Sequence, residues 1–190
     1  MLITCFISYL LLYLILLPSK YFIKMSLVWL TGFSGSGKST IAEKIREKTG
    51  APVIDGDIVR KYMVTGGGIH GVEGQQANQQ ERIVLALQLL GENPLVVAAF
   101  VSPKKELRDQ VKQAIEEQGY RFILVHVNTS IEVCKQRDPK KLYHKLDNGE
   151  KIFLAGMNVS YDVPMNTALV CDTEKNSVEE CAKKILKHLA

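Results

Sequence analysis

Gly32-Phe33-Ser34-Gly35-Ser36-Gly37-Lys38-Ser39-Thr40 fits the spacing G-x-x-x-x-G-K-[ST], and its reading decides how the rest of the chain is organised. Glycines let successive backbone N–H groups turn inward around an anion, and a helix starting near Lys38 adds its positive end at the same place. The Lys38 ammonium can reach the β- and γ-phosphates of a nucleoside triphosphate as a point charge, and the Ser39 hydroxyl is a ligand for Mg²⁺. Gly32, Ser34, Gly35, Ser36, Gly37 and Thr40 complete the phosphate-binding set. The flanks have the form this motif needs. An apolar run over 27–31 reads as a buried parallel strand, and Ile41, Ala42 and Ile45 follow at helical spacing, with Gly50 placed to end the helix. A chance match in a surface turn would lack that strand–loop–helix order. The stretch implies a bound triphosphate and leaves the reaction open.

The whole chain of 190 residues has a formal charge of +4, with no basic block of the kind nucleic acid attracts. One domain is expected, over 25–190. Cys5, Cys134, Cys171 and Cys181 form no C-x-x-C pair and no metal-ligand spacing with histidine, which suits reduced thiols in the cytoplasm. Residues 1–24 differ in kind, being almost wholly apolar as far as Leu17. As a membrane anchor the segment is short, and as a secretory signal it lacks a basic start and a small-residue cleavage site. We favour translation beginning at Met25, directly before the first strand. Without the two lysines of the first 24 residues, Lys20 and Lys24, the charge falls from +4 to +2. A membrane partner is expected only if the segment is translated.

A second strand over 52–55 runs into Asp55-Gly56-Asp57-Ile58-Val59-Arg60. Acids at the C-terminal end of a parallel strand lie on the rim where such sheets bind ligands. Asp57 is a candidate either to hold the Mg²⁺ hydration shell through water or to accept the proton of an attacking hydroxyl; a helix N-cap is the competing role. Residues 65–74, with five glycines, predict a mobile loop running into a helix over 77–90. His70 within it reads as solvated rather than catalytic.

The run 94–101 predicts a strand covered on both faces, followed by Ser102 as N-cap and Pro103 at the first position of a helix with a stripe of Leu107, Val111, Ala114 and Ile115. Another strand over 121–127 leads to a short helix capped by Thr129 or Ser130. The basic stretch 137–143 suits either a lid over phosphates or a solvated turn, and charge alone favours the turn. Residues 150–166 suit a second flexible loop. A last strand over 168–171 precedes a helix opened by a capping box from Ser177 to Glu180. Five alternations of strand and helix predict an α/β fold, a five-stranded parallel sheet with helices on both faces and two mobile loops over the site.

With the loop at 32–40, the stretches Asp55-Gly56-Asp57-x-Val59-Arg60, Phe100-x-Ser102-Pro103, Glu132-Val133-Cys134-x-x-Arg137-Asp138-Pro139-Lys140-x-Leu142-Tyr143 and Tyr161-x-x-Pro164 together resemble the adenylyl-sulfate kinase family of P-loop kinases. The resemblance runs from about Met25 to the C-terminus. It implies transfer of the γ-phosphoryl of Mg·ATP to the 3′-hydroxyl of a small nucleotide acceptor, often by a homodimer. Carried over, Asp57 and Lys38 would be catalytic. Ser39, with Asp57 through water, would hold Mg²⁺, and Arg137 would lie against the adenine of ATP, where a guanidinium stacks on a base. Asp55, Arg60, Asn78, Ser102 and Lys151 would face the acceptor.

The sequence departs from the family on the acceptor side. An Asp-Arg pair is replaced by glutamines around Gln75 and Gln76, and two arginines after the matching asparagine are replaced by Gln80 and Glu81. Of the aromatic pair that clasps the acceptor's adenine, one member falls near Ile69 and the other on Leu154, with Phe153 next door. A lid glycine is replaced by Lys141. A lost arginine should cost a few kcal/mol of binding and a lost stacking ring about 1–3 kcal/mol more. The expectation is therefore an acceptor other than adenylyl sulfate. Cytidine diphosphoramidate, the acceptor of an offshoot serving capsule synthesis, is one such nucleotide. True adenylyl-sulfate phosphorylation and a non-catalytic ATP-binding module are the alternatives.

Overall fold

The computed structural model describes residues 24–56, 59 and 72–190, and of 72–78 the backbone only. The readings of residues 1–23, Asp57, Arg60, His70 and Ile69, and the side chain of Asn78, fall outside the described residues. No helix among the described residues is long and apolar enough to cross a membrane.

Five parallel strands form one sheet in the order β2-β3-β1-β4-β5: β1 Ser26–Thr31, β2 Val53–Asp55, β3 Leu95–Ala99, β4 Arg121–Asn128 and β5 Leu169–Asp172. β1 lies at the centre, Leu30 pairing with Ala99 on one side and Val125 on the other. Its run is wholly buried because both faces of a parallel sheet are covered. On one face Val28, Leu30, Val97 and Val125 pack against Ile41 and Ile45 of α1 (Lys38–Thr49) and Ile185 of α6 (Val178–Leu189). On the other, Leu27, Trp29, Ala98 and Phe100 meet Ile83 and Leu90 of α2 (Val72–Glu92) and Val111 and Ile115 of α3 (Lys105–Glu117). Two short helices, α4 (Ile131–Arg137) and α5 (Leu142–Asp147), follow β4.

Two local expectations are corrected. α2 starts at Val72, five residues before the predicted start and inside the glycine-rich stretch. Ser102 and Pro103 do not open α3, which begins at Lys105 behind Lys104 without a side-chain cap from that residue. Asp162, from far along the chain, accepts from the Lys105 N–H at 3.0 Å instead. Ser102 has φ +42, outside the β-region geometry of an N-cap. Arg108 takes a buried place on α3 next to Leu107 of the predicted stripe. Ser130 rather than Thr129 caps α4, and the Ser177–Glu180 capping box of α6 is present in full. Between Asp147 and Leu169 the chain has little regular structure. It is nonetheless tied down, with Asn158 donating to Ile152 O and Asp162 N to Pro103 O.

Candidate active site

The loop after β1 delivers its backbone to the start of α1. Gly37 occupies the N-cap in the left-handed region (φ +97) with no side-chain cap, and the first turn carries no acid. The orphan N–H groups and the positive helix end are thus left for an anion. Gly35 (φ +80) is fixed by more than backbone shape, since a Cβ there would lie 2.9 Å from Cys134 O of α4. Lys38 folds back over the loop, donating to Gly32 O at 2.9 Å and Phe33 O at 2.6 Å. Burial pushes its ammonium down to about 8, helped by the neighbouring Lys140 charge and opposed by Asp55.

Two threonines and a tyrosine support this loop, the threonines with no sequence motif of their own. The hydroxyls of Thr129 and Thr173 both donate to Ser36 O, at 3.2 and 3.0 Å. Tyr143 Oη donates to Ser34 O at 3.0 Å, so α5 of the basic segment is pinned to the phosphate loop. That basic segment therefore has a buried anchor, Tyr143 being 2% exposed. Arg137 donates to Thr173 Oγ1 and Thr173 O, both at 2.9 Å, which fixes its guanidinium beside the same loop.

Asp55, expected among the acceptor contacts, ends β2 with its Oδ2 2.5 Å from Ser39 Oγ. The pair is a hydroxyl and a carboxylate beside the phosphate cradle. Hard oxygen donors of this kind fit Mg²⁺, which is held by one or two protein oxygens while keeping waters and phosphate oxygens as its other ligands. When bound, Mg²⁺ would neutralise charge on the β- and γ-oxygens. No group of three or more His, Cys, Asp or Glu side chains that could hold a metal occurs among the described residues.

Past β3, Phe100 and Ser102 form a second wall. Arg82 of α2 lays its guanidinium 4.4 Å from the Phe100 ring centre. Gln80 and Glu81 stand in for arginines in the sequence, yet a cation is present one residue further on. Arg82 and Phe100 lie on different elements, so no spacing in the sequence signals their contact. Gln79 is buried, its amide donating to Leu107 O at 2.8 Å. Ser102 Oγ accepts from Trp29 Nε1 at 3.1 Å. Arg108, 2% exposed, donates to Ser102 O at 2.7 Å and Asp162 O at 2.6 Å. Leu154, at the position of an expected aromatic clasp, is buried with Cys134 and Tyr143, whereas Phe153 is 65% exposed. Lys151 is exposed near the start of the irregular strap over 148–168 that joins α5 to β5.

A five-stranded parallel sheet with a glycine-rich phosphate loop running into α1 defines a P-loop phosphotransferase. The chain belongs to the adenylylsulphate kinase family, whose sequence profile matches residues 24–172. It is 38% identical over 158 residues to a probable adenylyl-sulfate kinase of Aeropyrum pernix, covering 80% of this chain and 85% of that one. The adenylyl-sulfate kinase of Bacillus licheniformis is 37% identical over 171 residues, or 87% of this chain and 85% of the relative. Among solved structures, the Mycobacterium tuberculosis APS kinase in complex with AMPPNP and APS superposes with a TM-score of 0.80 at 28% identity, over 87% of this chain and 98% of that one. The protein is an ATP-dependent phosphotransferase of the adenylyl-sulfate kinase type.

Proposed function

We propose that this kinase phosphorylates the 3′-hydroxyl of a nucleotide other than adenylyl sulfate, with cytidine diphosphoramidate, and hence capsule synthesis, as the named case. The acceptor oxygen bonds to the γ-phosphorus as the bond to the β,γ-bridging oxygen breaks, and ADP leaves. Asp57 takes the hydroxyl proton or organises Mg²⁺, and Arg60, Asn78 and Lys151 contact the acceptor. Lys38 neutralises charge on the transferred group, and transfer of this kind depends on positioning and electrostatics more than on covalent chemistry. ATP lies in the loop of residues 32–40 with Arg137 at its base, and Ser39 with Asp55 holds Mg²⁺. The protein acts in the cytoplasm, where ATP is supplied, as a homodimer.

The observation that carries the choice of acceptor is Leu154. Its side chain is 4% exposed and packed with Cys134 and Tyr143, at the position where the family pattern has a ring that clasps adenine. Adenylyl sulfate remains a second reading because Arg82 over Phe100 retains a cation beside the acceptor wall, and because the relatives carry that activity in their names. Turnover of residues 25–190 with Mg·ATP and each acceptor in turn separates the two. A kcat/KM for cytidine diphosphoramidate at least a hundredfold above that for adenylyl sulfate is expected. The reverse ratio would replace the first reading with the second.

A further inference from the structure

Residues 100–103 are held at every position by groups distant in sequence. Phe100 N donates to Leu30 O at 3.1 Å. Val101 O accepts from Thr31 Oγ1 at 2.6 Å. Ser102 O accepts from Arg108, Ser102 Oγ accepts from Trp29 Nε1, and Pro103 O accepts from Asp162 N at 2.8 Å. All this surrounds a serine at φ +42, a backbone state that costs a non-glycine residue about 1 kcal/mol or more and persists only where its surroundings over-determine it. Ser102 has no helix-capping role to explain that cost, since α3 starts three residues later and takes its cap from Asp162.

The chemistry of the hydroxyl says what the arrangement achieves. Trp29 is fully buried and its indole N–H can only donate, so it occupies a lone pair of Ser102 Oγ. Among the described residues no group accepts the Ser102 proton. We propose that Trp29 and Arg108 are positioning residues that aim Ser102 as a hydrogen-bond donor to the acceptor nucleotide. Trp29 turns the hydroxyl so that its proton points outward, and Arg108 locks the carbonyl that sets the serine's backbone. The buried guanidinium also ties this wall to the strap through Asp162 O, so acceptor contact and strap placement share one anchor. The inference rests on Ser102 facing the acceptor, as in the function proposed above.

Trp29→Phe removes the N–H and keeps an aromatic ring, and Arg108→Lys keeps the charge without the two-pronged geometry. With whichever of adenylyl sulfate and cytidine diphosphoramidate turns over faster, each variant should raise the acceptor KM about five- to tenfold, the effect of one lost hydrogen bond, while the ATP KM stays within twofold. Trp29→Phe combined with Ser102→Ala should be no worse than Ser102→Ala alone. A tryptophan that merely fills the core would give additive losses and move both KM values together, and that result overturns the inference. Since the chain has one tryptophan, the wild-type protein offers a readout that needs no variant to fold. Its single indole ¹⁵N–¹H resonance should shift on adding acceptor to the MgADP complex, and an unmoved resonance overturns the inference. If Ser102→Ala leaves the acceptor KM unchanged, or neither nucleotide is phosphorylated, the underlying reading of the acceptor site fails instead.

Discussion

Replacing Gly156 by alanine tests how the strap after α5 bears on the phosphate loop. Gly156 has φ +86, and a Cβ there would stand 2.5 Å from Phe33 Cε1 and 2.8 Å from Ile131 Cδ1. The left-handed backbone alone costs alanine about 1 kcal/mol, and overpacking of this kind adds roughly 1–3 kcal/mol. Phe33 has little room to yield, because its ring lies 4.9 Å from that of Tyr161, centre to centre. The sum, about 2–4 kcal/mol, corresponds to a fall in Tm of roughly 4–16 °C for a domain of this size. The damage should reach catalysis as well, since the carbonyl of Phe33 is the 2.6 Å acceptor for Lys38 Nζ. Thermal unfolding and steady-state kinetics on Gly156→Ala should therefore show a lowered Tm together with a raised KM for ATP. An unchanged Tm would refute the packing reasoning. A lowered Tm with an unchanged ATP KM would refute the coupling of strap to loop.

Three further outcomes follow from single contacts. Lys38 binds phosphate as the ammonium, and with its pKa brought down to about 8 the charged form dominates at pH 7 and is lost as pH rises through 8. ATP affinity should drop about tenfold between pH 7 and 9, roughly 1.4 kcal/mol, and Lys38→Met should flatten that profile in a calorimetric titration. Tyr143→Phe deletes the hydrogen bond to Ser34 O, so the ATP KM should rise several-fold, for a loss of about 1 kcal/mol, with the acceptor KM unaffected in the same assay. Lys141 sits at φ +54 where the family pattern has glycine; Lys141→Gly should raise Tm by about 2–4 °C by relieving about 1 kcal/mol of strain.

What could be read from residue order was whatever depends on near neighbours. The loop at 32–40 announces itself because glycines, lysine and serine must follow one another for a backbone cradle to form. The strands β1, apolar between Ser26 and Thr31, and β3, apolar throughout, were legible for a related reason, being covered on both faces. Contacts between distant residues were not legible. Ser102-Pro103 has the local form of a helix start, but Trp29 and Arg108 on the serine and Asp162 on the proline carbonyl hold the pair in another conformation. Arg108 left one usable trace, a charge directly beside the apolar stripe of α3. Thr129 and Thr173 support Ser36 from 93 and 137 residues away, with no spacing to reveal them. Motif position places Asp55 on the acceptor side, and its contact with Ser39 Oγ, 16 residues away, has no counterpart in that motif.

The most direct measurement follows transfer of labelled γ-phosphoryl from Mg·ATP to the acceptor by the wild-type chain and by Lys38→Met. The wild-type protein should form the 3′-phosphorylated nucleotide, and the variant should remain folded while losing about a hundredfold or more in kcat, as removal of a charge-stabilising group at a transition state does. Undiminished transfer by Lys38→Met would contradict the account at its centre.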